Sequence, residues 1–166
     1  MLGNSIADVV HIFLWRFPML HLLIQTISAA IATVGFSLLF GVPARYYPSC
    51  ALIGGISWLA YLVLVPYSSV TIATFAATVI VILMSRWFAV RERCPVTIFL
   101  ISGIIPLVPG AGIYRAAYYT VTDQLYLAVQ TGFDALKMAV AIVLGIVFVF
   151  EIPQAAFQIG NHKRRR

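Results

Sequence analysis

The chain has 166 residues, 62% hydrophobic and 10% charged, with a mean hydropathy of +1.00. A soluble domain carries roughly 25% charge, so the composition excludes an ordinary soluble enzyme and points to one compact membrane bundle. The net charge of +6 is not a nucleic-acid footprint, because most basic residues form short clusters beside apolar runs: Arg86, Arg91 and Arg93, then Lys163, Arg164, Arg165 and Arg166. Such clusters set membrane orientation and suit anionic lipid headgroups.

Residues 1–19 read as an interfacial amphipathic segment. Asp8, His11 and Arg16 lie among apolar residues, and Trp15 and Phe17 suit a headgroup boundary. No basic residue precedes Arg16, so no cleavable signal is expected. Residues 20–153 form the predicted membrane domain. The first span covers residues 21–40, close to the roughly 20 residues a bilayer core needs. The second covers 48–65 and carries Gly54 and Gly55; Pro66-Tyr67-Ser68-Ser69 then turns without a charge. The third covers 70–84 and extends through Phe88, with Arg86 expected to snorkel to the interface.

The fourth apolar run, 95–108, would reach only about 21 Å as a helix against a core of roughly 30 Å. It ends in Pro106, Pro109, Gly110 and Gly112, which break helices. A helix is expected over 111–120. A second is expected from an N-cap at Thr122 or Asp123 to Thr131, closed by Gly132. The last span covers 135–150, and residues 154–166 form a basic tail. The fold expected is therefore all-α: a polytopic bundle of about five spans with a Pro/Gly-broken fourth helix.

Arg45, the cluster at 86–93 and the tail follow spans one, three and five, whereas the turn between spans two and three has no Lys or Arg. Five spans place all three clusters in the cytoplasm, with the C-terminus inside. Three pairs of small residues, Ser28 and Ala32, Ala73 and Ala77, Ala141 and Gly145, offer seams for helix packing.

Chemistry is sparse. The acids are Asp8, Glu92, Asp123, Asp134 and Glu151; no paired carboxylates, nucleophilic triad or metal cluster arises within the spans. A membrane enzyme needs convergent acid and base groups, so the chain reads as a non-enzyme without cofactor. Cys50 and Cys94 read as small packing residues. The Pro/Gly segment offers more. A helix opening after Pro109 and Gly110 presents unpaired amides and a positive dipole end, suited to a carboxylate inside a protein cavity. Tyr114 and Tyr118 share one helix face beside Arg115, so hydroxyl and guanidinium groups would flank that ligand. The competing account is a structural kink with interfacial Tyr and Arg. Asp134 and Lys137, three apart, form either an ion pair at the outer interface or a coupling site for protons. The polar residues within the spans, Gln25, Thr26, Ser28, Thr33, Ser57, Thr71, Thr74, Thr78 and Ser102, either line a pathway or, for most of them, make interhelical hydrogen bonds.

Three pieces in order, Phe36-x-x-x-Phe40-Gly41-Val42-Pro43-x-Arg45, then Ser85-Arg86-Trp87, then Ile105-Pro106-x-x-Pro109-Gly110-x-x-x-Tyr114, resemble the small, YjjB-type half of the threonine/serine exporter family. The resemblance runs from about residue 20 to the tail. It implies a partner, a larger membrane protein carrying the other exporter half. It also implies export of small carboxylate metabolites from the inner membrane: threonine and serine, or C4-dicarboxylates such as succinate. Pro106, Pro109, Gly110 and Tyr114 match the family motif directly. Three rivals remain: an accessory subunit that stabilises or regulates a larger transporter, a membrane enzyme, and a homo-oligomeric channel.

Overall fold

A computed structural model describes residues 18–151; the N-terminal segment and the basic tail lie outside the described residues. The described chain is all helical: α1 (Pro18–Leu39), α2 (Tyr47–Leu64), α3 (Val70–Glu92), α4 (Thr97–Ile104), α5 (Gly110–Val121) and α6 (Leu125–Phe150), with 3-10 turns at Ala44–Tyr46 and Ile105–Leu107. Four of the described helices are long and apolar enough to cross a bilayer, and α4 with α5, bent by 48°, is a candidate fifth by length and composition.

Helix ends follow local rules. Gly41 takes φ +67 after α1, and Val42 N–H bonds back to Ser37 O at 3.0 Å, the six-to-one closure of a left-handed cap. Ser69 caps α3 by accepting from Ile72 N–H at 3.3 Å. Arg93 ends α3 with φ 54, and Cys94 N–H bonds to Ala89 O at 3.1 Å. The same closure corrects the expected cap at residues 122–123. Asp123 adopts φ 59 at the end of α5, and Gln124 N–H returns to Tyr119 O at 2.8 Å. Asp tolerates the left-handed region, so this residue stops one helix instead of starting the next.

α6 then starts at Leu125 and passes through Gly132 without a break, ten residues before the expected span. Gly132 is a packing notch: a Cβ there would sit 3.6 Å from Ala116 Cβ of α5. Tertiary packing overrides the local stop signal, as it commonly does for helix propensity.

Direction follows from which residues meet. Gly54 of α2 lies against Thr33 of α1, and Gly55 against Ala30, so α1 and α2 run antiparallel. Phe99 of α4 stacks near Phe88 of α3, while Gly103 approaches Val81, again antiparallel. Gly112 of α5 meets Ala135 of α6, and Gly132 meets Ala116. Gly145 of α6 touches Thr78 of α3, and Val149 O, further along α6, accepts from Arg86. α3 and α6 therefore run the same way, which requires α4 and α5 together to make one return crossing. The residues of Arg45, Arg91 and Arg93 lie at one end, the basic end, and the uncharged turn at residues 65–69 lies at the other.

α3 is the centre of the bundle: 56% of its span is buried, against 17% for α1 and 28% for α2 and α6. The core gathers Tyr46, Cys50, Ile53, Val81, Phe99 and Leu107. Small residues bring the helices together, as expected where lipid supplies no hydrophobic drive. Ala73, Ala77 and Ala141 are buried, and Gly145 sits against Thr78. The predicted seam of Ser28 and Ala32 is exposed. One register over, Ala29, Thr33 and Ser37 form the buried stripe, because the notch that Gly54 provides lies opposite Thr33.

The buried hydroxyls also correct expectation in part. Thr33, Ser37, Thr74, Thr78 and Ser102 donate to carbonyls four residues back in their own helices, at 2.7 to 3.3 Å. Back-bonding of this kind satisfies a hydroxyl without a neighbour, so Thr33, Thr74 and Thr78 are held within their own helices, whereas Ser37 of α1 and Ser102 of α4 also bond the Cys50 thiol of α2, as the sequence suggested. Arg86 does not snorkel from a loop. It lies within α3 at 4% exposure and donates to Val149 O at 2.7 Å.

Candidate functional site

The break between α4 and α5 is built by its prolines. Pro106 and Pro109 have no backbone donor, and the residue before a proline is pushed to extended geometry. Val108 accordingly has ψ 129 and ends the 3-10 turn. Pro109, buried, is the N-cap of α5 and offers no side-chain bond to its amides. Gly110 N–H turns back to Val108 O at 2.7 Å, and Ile113 N–H bonds to Pro109 O at 3.0 Å. Between them, the first-turn amides of Ala111 and Gly112 have no intrahelical partner.

The two glycines serve different ends. A Cβ on Gly112 would meet Ala135 Cβ at 3.2 Å, so this glycine lets α5 lie close on α6. A Cβ on Gly110 would meet nothing within 4 Å. Neither has a positive φ, so neither is required for backbone conformation. Nothing in the packing of the described residues accounts for Gly110.

α5 has no buried residue along its twelve. Gly112 and Ala116 face α6, so Tyr114, two residues past Gly112, projects from the opposite side at about 100° per residue. Tyr114 is 71% exposed and Tyr118 52% exposed, on that shared face. Arg115 is exposed beside them and makes no ion pair among the described residues. Gly110, Tyr114 and Tyr118 thus share one open side of α5, with Arg115 exposed at its edge.

Asp134 and Lys137 pair on α6. Lys137 Nζ lies 2.7 Å from Asp134 Oδ1 and 5.5 Å from the centre of the Phe133 ring. Lys137 is two residues past Ala135, which faces α5, so it points away from α5 and from the tyrosines. Gly145 is level with Thr78, and eight residues back on both helices Lys137 is level with Val70 at the start of α3. The pair therefore stands at the uncharged end of the bundle, half exposed. Asp134 is next in the chain to Ala135, which meets Gly112, so the pair lies at the level of the Pro/Gly break, with Lys137 turned away from α5.

A feature the sequence reading passed over lies at the basic end. A cavity of about 200 Å³ opens between the loop after α1 and the first turns of α4, lined by Phe40, Val42, Thr97, Ile98, Ile101 and Ser102 among others. Its signal was present: Phe40-Gly41-Val42-Pro43 is one of the motif pieces, there read as the end of a span. Beneath it, Ser37 and Ser102 flank the buried thiol of Cys50. Both cysteines are free.

Compared with known proteins, the chain matches the family model described as Threonine/Serine exporter, ThrE, over residues 25–152. No solved structure matches it. The matched stretch contains every helix from most of α1 through α6, the break and the basic-end cavity included. The chain belongs to this family, a family of membrane transporters.

Proposed function

We propose that this member of the threonine/serine exporter family is the small subunit of a two-component exporter for small carboxylate metabolites. Its substrates are threonine and serine, or C4-dicarboxylates such as succinate. It sits in the inner membrane with the basic end in the cytoplasm, as the distribution of Arg45, Arg91 and Arg93 supports. The observation that carries the reading is the broken crossing within the matched stretch. Discontinuous spans with half-helix N-termini are where secondary transporters hold anionic groups, and here the amides at the head of α5 and Gly110 stand open.

The open face also supports the second chain. A half-span with no buried residue, carrying Arg115 and three tyrosines, is incomplete as a cavity by itself. Polar and ionisable groups in membrane proteins face a protein interior or a wet path. A larger subunit laid against α5 would close the site, with Tyr114 and Arg115 on the carboxylate and Tyr118 on a hydroxyl or ammonium group. Asp134 and Lys137 fasten the outer part of α6 instead of carrying protons. The family is one of transporters, so the transported molecule leaves chemically unchanged in this reading.

The test is efflux from cells lacking their own exporters, preloaded with threonine or succinate. The chain is expressed alone, with its larger partner, or not at all. Efflux with both chains only is expected. Efflux by this chain alone would replace the reading with a self-sufficient homo-oligomer. Absence of efflux with both chains in the membrane would remove the substrate assignment. The accessory-subunit reading predicts that variants on α5 change the partner's abundance and leave substrate affinity alone.

A further inference from the structure

We propose that the cavity at the basic end is a binding site for an anionic glycerophospholipid, with an acyl chain in the cavity and the phosphate on Arg45 and Arg93. The inference is independent of what the protein exports; it takes from the proposed orientation only which leaflet supplies the lipid.

The cavity's chemistry selects an apolar occupant. At about 200 Å³ it is large enough for a length of alkyl chain, and no charged side chain lines it. Its two hydroxyls are those of Thr97 and Ser102, and Ser102 already donates to Ile98 O at 3.3 Å. A zwitterion or dicarboxylate placed here would lose its water without gaining partners. An alkyl chain has no such cost. The rim residues Phe40 and Ile101 are 52% and 46% exposed, so the cavity opens sideways from the bundle, where bilayer chains are the abundant apolar molecules.

The headgroup site is set by the two loops that flank the cavity. Arg45 follows the lining residue Pro43 by two positions. Its guanidinium lies 4.5 Å over the Tyr46 ring and donates to the Tyr46 hydroxyl. Tyr46 is 2% exposed and packs edge-on against Phe99 at 5.5 Å, next in the chain to the lining residue Ile98. The cation is therefore tied to the first turns of α4. Arg93 enters the other loop, four residues before the lining residue Thr97, in the left-handed conformation that ends α3. Glu92 is the nearby carboxylate in sequence, and Arg91 beside it keeps this loop positive. Basic pockets between spans on the cytoplasmic side are suited to anionic lipid headgroups.

The experiment is native mass spectrometry of the purified full-length chain, with phosphatidylglycerol and phosphatidylcholine of identical acyl chains in equal amounts. The wild type is expected to retain phosphatidylglycerol at least roughly tenfold over phosphatidylcholine, the scale expected of two basic residues near an anionic surface. The doubly substituted Arg45→Gln, Arg93→Gln protein changes two exposed side chains and should fold; its preference should fall to near one. Ile101→Trp fills the cavity and should cut retention of both lipids. Equal retention of the two lipids by the wild type would overturn the proposal. So would unchanged retention in Ile101→Trp, or displacement of the lipid by threonine or succinate, which would assign the cavity to the transported molecule.

Discussion

Buried within α3, Arg86 places a cation at the C-terminal end of α6, where carbonyls lack intrahelical partners and the helix dipole is negative. Its guanidinium also lies 5.4 Å from the Phe150 ring centre. The side chain thus pins the last crossing to the central one. Arg86→Met should lower stability by about 2 kcal/mol, the scale of a charge-assisted bond lost from a buried site, read as a lower melting temperature in detergent. The preceding residue should behave oppositely. Ser85 Oγ is buried with no partner among the described residues, so Ser85→Ala removes an unsatisfied group and should be neutral or stabilising. A large loss from Ser85→Ala, or none from Arg86→Met, would contradict this account. Neither environment was legible in the sequence. Ser85-Arg86-Trp87 follows an apolar run, so Arg86 read as a snorkelling end residue; only the approach of Val149, 63 positions on, makes it a cap.

At the level of helices, glycine decides which pairs form. A Cβ on Gly54 would stand 1.9 Å from Thr33 Oγ1, whereas one on Gly35 would meet nothing within 4 Å. Gly54→Ala should therefore force α1 from α2 and cost about 3 kcal/mol, at the upper end of ordinary overpacking. Gly35→Ala should be neutral or slightly stabilising, since Ala suits a helix better. Equal melting temperatures for the two variants would contradict the packing described. The elements themselves were largely readable: α1, α2 and the start of α3 lie within a few residues of the expected spans, because long apolar runs bounded by Pro, Gly and charge leave little freedom. Faces were not. Small residues at spacing four occur on several registers of α1, and choosing Ala29, Thr33 and Ser37 over Ser28 and Ala32 requires knowing where Gly54 will lie. The start of α6 was missed because Asp123 and Gly132 each carry a local signal with two meanings, cap or stop in one case, stop or packing notch in the other.

Across the whole molecule, α1 to α4 make a packed bundle around α3, and α5 with the outer part of α6 makes a two-helix wing attached along one side. α6 is roughly 39 Å long at about 1.5 Å per residue, more than the roughly 30 Å of a bilayer core. Its first turns, with Tyr126 81% exposed, accordingly suit the outer headgroup layer, where tyrosine is favoured. The break joins bundle and wing, and it was legible as a break because Pro106, Pro109, Gly110 and Gly112 stand together. What faces it was not legible, since the open side of α5 is completed by nothing in the described chain. The central claim, that the open head of α5 takes part in transport, is tested most directly by threonine efflux from preloaded cells carrying Gly110→Leu and the proposed larger partner, at matched membrane levels of both chains. Because a Cβ at position 110 meets nothing within 4 Å among the described residues, the variant should fold and assemble yet lose at least roughly tenfold in efflux, the effect of blocking a close backbone approach to the ligand. Wild-type efflux by Gly110→Leu would contradict the account.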